Sequence, residues 1–194
     1  MDLILGYLKD MWLYMGITTP IIIVFRMYKV KKLQFTINFV HEIGVILFFI
    51  YLVGLLSQTI IPAITITNGS IFLVNGNFQA TNLEFFRVLT ETYNAIKYLD
   101  LWEPFFINFL GNIVMFMPIG FLLPLLWEKF EPFYITIGLG FLLSLSIEIL
   151  QLPQMRSSDV DDLWLNTLGT IIGYIVFVVI PKRIRTKFKF QVSG

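Results

Sequence analysis

The sequence predicts an all-α, polytopic membrane protein of about five transmembrane helices, with an extracytoplasmic loop and surface helix between the second and third spans. Three observations carry this reading. Hydrophobic residues make up 57% of the 194 residues and charged residues only 14%, against about 45–50% and about 25% in soluble domains; the mean hydropathy is +0.78. The apolar residues run in stretches long enough to cross a bilayer core, separated by prolines, turn residues and charges. Lysine and arginine gather at a few of those separators, as they do in cytoplasmic segments of membrane proteins.

Composition also excludes several functions. With no cysteine there is no disulfide, thiol nucleophile or cysteine zinc site, and the single His41 argues against a histidine metal centre or a Ser-His-Asp triad. No metal or cofactor is expected. A net charge of +1, without a basic face interleaved with aromatics, argues against nucleic acid as a partner. Any chemistry must use carboxylates, amides, hydroxyls or arginine.

In chain order, the first span is expected over 3–25, interrupted by Lys9 and Asp10 and open to a kink at Pro20. The start Met1-Asp2, with no A-x-A pattern, does not read as a cleaved signal peptide. Arg26, Lys29, Lys31 and Lys32 form a polar hinge before a second span over 39–63, with His41 and Glu42 as interfacial anchors at its basic end. From Ile64 to Glu103, turn-forming Asn68-Gly69 and Asn75-Gly76-Asn77 separate short β-branched runs, and Asn82–Tyr98 has the spacing of a surface helix. The third span, 105–127, carries Asn108 and Asn112 one turn apart and Pro118 and Pro124 within it, so it should be kinked, with both asparagines facing protein. The fourth and fifth spans cover 133–152 and 163–180, and the five together form a single membrane domain, 1–194. Pro181 precedes a basic tail. The hinge, Lys129 and the tail hold ten of the fourteen Lys and Arg residues, which places the C-terminus in the cytoplasm and the turn at 153–162 outside.

That turn joins the two most informative helices. Ser144, Glu148 and Gln151 share one helical stripe. If a helix starts near Ser158 as N-cap, then Asp159, Asp162, Asn166, Gly169 and Gly173 share another, with Arg156 and Asp161 beside them. An ionisable group inside a span costs about 2.5 kcal/mol or more, so these groups should be partnered and functional. Gly169 and Gly173 also read as a G-x-x-x-G packing face. Arg156 is expected to bond Glu148, and the cluster to line one outward-facing polar pocket.

Asn108-Phe-Leu-Gly-Asn112-Ile-Val-Met-Phe116-Met-Pro118-Ile-Gly120-Phe121-Leu-Leu-Pro124, followed by Ser144, Glu148, Gln151, Arg156, Asp159, Asp162, Asn166 and Gly169, resembles the VanZ-like membrane protein family over about residues 80–180. An earlier family element, Asn-Leu-x-Pro-Phe, is approximated by Asn82-Leu83-Glu84-Phe85-Phe86, which lacks the proline. The resemblance implies a multi-pass protein of a bacterial cytoplasmic membrane, in a family whose namesake is associated with teicoplanin resistance in Gram-positive bacteria. It also implies that Asn112, Glu148, Gln151, Arg156, Asp159, Asp162 and Asn166 are the recurring polar positions, and that Asp161 is a bystander.

Three functions are open at this point. One is a binding module in which Arg156 and the amides of Asn112, Gln151 and Asn166 hold a lipid or lipoglycopeptide head group. A second is an intramembrane enzyme acting on an envelope lipid, with Glu148 as general acid or base. The third is a structural or partner-binding protein whose polar cluster clamps a helical hairpin.

Overall fold

The computed structural model describes residues 2–33, 38–60, 63–67, 70–74, 82, 84–102, 105–152 and 159–189. The regular structure of the described residues is helical apart from one pair of antiparallel strands and one isolated bridge. Among the described residues, five helices are long and apolar enough to cross a membrane: Met11–Lys32, Phe39–Thr59, Phe105–Leu126, Phe133–Gln151 and Val160–Val179. The chain divides into two units, Met1–Asn77 with Lys182–Gly194, and Phe78–Pro181.

The first unit contains α1 (Asp2–Leu33), α2 (Phe39–Thr59), the antiparallel hairpin β1 (Ala63–Thr67) and β2 (Ser70–Val74), and the short helix α7 (Lys182–Arg185) followed by a 3-10 turn, Thr186–Phe188. The expected polar hinge at 26–32 is helical instead. Lysine is a good helix former and its long stem reaches water from an apolar helix, so charge there does not end α1. The helix also continues through Pro20, with the hydroxyls of Thr18 and Thr19 donating to the carbonyls of Tyr14 and Met15 (2.7 and 2.6 Å). Where α1 meets α2, Gly54 leaves room for the Met11 and Met15 side chains.

His41 and Glu42 are tethers rather than interfacial anchors. Both oxygens of Glu42 accept from Arg26, Nε to Oε2 at 3.0 Å and Nη2 to Oε1 at 2.7 Å. His41 is buried, its Nδ1 lying 2.8 Å from the Phe188 carbonyl. Asn38 caps α2 with its side-chain oxygen while its Nδ2 donates to the carbonyls of Lys187 and Lys189, each at 3.0 Å. The tail is thereby fastened to the start of α2.

The second unit contains α3 (Arg87–Leu99), a π-helical turn (Phe105–Leu110) leading into α4 (Gly111–Leu126), a 3-10 turn (Glu128–Phe130), α5 (Phe133–Gln151) and α6 (Val160–Val179). Helices α4 and α6 pack backbone to backbone. A Cβ on Gly169 would run into the Ile113 carbonyl, one on Gly173 into the Met117 carbonyl, and one on Gly120 into the Thr170 carbonyl. Ile113 and Met117 are one turn apart, as are the two glycines, so the G-x-x-x-G face is a close-packing seam. Gly140 on α5 similarly makes space for Thr170. Above this seam, Val88 of α3 joins Ile113 and Leu165 in a buried core flanked by Phe109 and Trp164.

Candidate functional site

The start of α6 gathers the polar groups. Asp159, not Ser158, is its N-cap: the backbone there is extended (φ −124°, ψ 122°), and Oδ1 accepts the Asp161 amide at 2.9 Å. A carboxylate in this place satisfies an orphan donor and complements the helix dipole. The same Oδ1 accepts from Asn82 Nδ2 at 2.9 Å, and the two residues form a parallel bridge in which Val160 N donates to the Asn82 carbonyl at 3.1 Å.

Helix α5 contributes Glu148, buried at 6% exposure, whose Oε2 accepts the Asp159 amide at 3.0 Å. One turn earlier on α5, fully buried Ser144 accepts from Asn166 Nδ2 at 2.9 Å. The two polar stripes therefore do meet. The amide oxygen of Asn166 is buried with no hydrogen-bond partner among the described residues. Gln151 ends α5 beyond Glu148. Helix α4 supplies Asn112, whose Nδ2 donates to Asp162 Oδ1 at 2.5 Å and to the Asn108 carbonyl at 3.1 Å. Asn108 itself, expected to face protein, is exposed. It belongs to the π-helical turn, which alters the i, i+4 register on which that expectation rested. Arg156, with its expected bond to Glu148, lies outside the described residues.

Asp161 is the most engaged of the acids, not a peripheral one. It is fully buried; Oδ1 accepts from Phe86 N at 2.5 Å and Trp164 Nε1 at 2.8 Å, and Oδ2 from Val88 N at 2.7 Å. Phe86 is held left-handed (φ 66°), a conformation a bulky residue rarely adopts, and its ring packs on Trp164 with centroids 5.5 Å apart. Asp161 thus fastens the start of α3 onto α6, turned away from the stripe that carries Asp162. Sequence reasoning missed this role and that of Asn82, although the Asn82–Phe86 element was visible as a motif.

Asp162, half-buried, lies close enough to Glu148, Asp159 and Asp161 for their charges to repel it. No lysine or arginine among the described residues forms a salt bridge with any of the four. Nor do three carboxylate or imidazole groups converge as metal ligands among the described residues. Among the described residues, the arrangement offers a set of acidic hydrogen-bond acceptors framed by amides from α4 and α6 and bounded by apolar helices.

A family model described as VanZ/LLP1 matches residues 48–181. No curated protein and no solved structure matches the chain. The family match begins within α2, upstream of the motifs that suggested the resemblance, and runs past the end of α6, taking in every residue of the polar cluster. This multi-pass membrane protein belongs to the VanZ/LLP1 family.

Proposed function

We propose that the chain is a membrane binding module whose cluster of Asn112, Glu148, Gln151, Arg156, Asp159, Asp162 and Asn166 holds the head group of an envelope lipid or lipoglycopeptide. The observation that carries this reading is Asp162: a carboxylate among three others, bonded to one neutral amide, with no cation bonded to it among the described residues. Such a group is relieved by an ammonium or by hydroxyl donors on a ligand, while the Arg156 guanidinium suits a phosphate or carboxylate of the same molecule. On this reading the cluster faces outward, the C-terminus is cytoplasmic and the bacterial host gains tolerance to teicoplanin.

The test is binding of labelled phosphatidylethanolamine and of teicoplanin to the purified full chain. Asp162→Asn and Arg156→Ala should each weaken binding at least about tenfold, the scale of a lost charge-assisted bond. Undiminished binding in both variants would end the proposal. A reporter fused after Gly194 should be active only in the cytoplasm.

A second reading, a clamp without a ligand, draws support from Glu148 accepting the Asp159 amide. Glu148→Gln separates the two. Normal folding with lost binding excludes the clamp.

A further inference from the structure

The cleft between α1 and α2 has walls of one chemistry and a rim of another. It encloses about 870 Å³, with Ile23, Val24, Met27, Phe39 and Ile46 among its apolar lining, a size within the range of about 300–1,000 Å³ typical of small-molecule sites. Arg26, Lys31 and Glu42 also line it. Glu42 spends both oxygens on Arg26, so that pair is internally neutral. Lys31 is exposed and forms no salt bridge among the described residues. Nor does the sequence supply a partner nearby: Met27–His41 contains three lysines and no acid. The carbonyls of Lys187 and Lys189, bound by Asn38, bring the basic tail to the same end of α2. Apolar walls beside unneutralised positive charge match one kind of molecule, an amphiphilic anion.

We propose that this cleft binds one anionic phospholipid, with an acyl chain along the apolar wall and the phosphate at Lys31. A zwitterionic lipid would fill the wall equally well but gain less from Lys31, because its own ammonium opposes the lysine. A free phosphate would gain the charge and nothing from the wall. The site is independent of the acidic cluster at α6 and opposite to it in charge.

The experiment is native mass spectrometry of the full chain in detergent, incubated with dioleoylphosphatidylglycerol, with dioleoylphosphatidylcholine, or with inorganic phosphate. Wild type should retain the phosphatidylglycerol about fivefold over the phosphatidylcholine, the effect of one basic residue near an anionic lipid. Lys31→Gln should bring that ratio close to one. Val24→Trp, which fills the cleft from an exposed position, should lower retention of both lipids. Equal retention of the two lipids by wild type, an unchanged ratio in Lys31→Gln, or displacement of the lipid by inorganic phosphate would each overturn the proposal. Lys31 and Val24 are both exposed, so neither substitution removes a packed side chain.

Discussion

The two units of this protein hold buried charge in opposite ways. Where α1 meets α2, a carboxylate faces a guanidinium, and the pair cancels within itself. At the start of α6, the bonds that four carboxylates make to described residues come from backbone amides, asparagine side chains and an indole N–H, which are neutral donors and carry no compensating charge. A closed pair has nothing left for a ligand. Carboxylates whose partners among the described residues are neutral donors keep an electrostatic demand that a cationic group can meet, so the contrast separates a structural device from a candidate binding site.

The sharpest way to break the comparison is Asp161→Ala. It strands the amides of Phe86 and Val88 and the Trp164 indole, each costing about 1–3 kcal/mol if left dry. We expect about 4 kcal/mol lost in thermal unfolding, with faster hydrogen exchange at Phe86 and Val88; slow exchange there would mean that α3 is held by other contacts. Arg26→Ala should cost somewhat less, about 3 kcal/mol, because Glu42 stays largely buried without its partner. Replacing both members, Arg26→Met with Glu42→Leu, should restore most of that loss, and failure to do so would show that the pair does more than neutralise itself.

Asp162→Asn should act in the other direction. It keeps an oxygen for Asn112 while removing a half-buried acid that Glu148, Asp159 and Asp161 repel, so we expect a gain of about 1 kcal/mol. Higher melting temperature together with lost binding would identify Asp162 as a group retained for function; lower melting temperature would place it with the structural acids. The smallest effect belongs to Arg87→Ala, which removes an exposed pair with Glu91 one turn along α3 and should leave the melting temperature unchanged.

Much of this was legible in the sequence, for identifiable reasons. Span positions follow from apolar length, and the Ser144–Asn166 and Glu148–Asp159 meetings follow from helical periodicity on two adjacent segments. The glycine seam was readable because only glycine permits backbones to touch. Residues 63–67 and 70–74, expected as part of a loop, pair instead as antiparallel strands, in keeping with their β-branched runs. What escaped depends on the chain returning to itself. Asp161 gains its role from residues about 75 positions earlier that must first adopt a left-handed turn, and no local spacing encodes that. Glu42 looked like an anchor because its partner Arg26 sat in a stretch read as a hinge. Charge marks a helix end only when its side chain cannot reach past the apolar layer.

The fastening of residues 187–189 to Asn38 and His41 bears on biogenesis. The first unit is made of two stretches, 1–77 and 182–194, and the second unit lies between them in sequence. The ribosome releases Lys189 only after α6 has been synthesised, so the bonds of Asn38 and His41 to residues 187–189 form only once the whole second unit has emerged. Translocation machinery therefore handles an incomplete first unit for most of synthesis. Chains truncated between residues 181 and 187 should be cleared by membrane proteases faster than the 194-residue chain, even though they keep the five apolar helices found among the described residues.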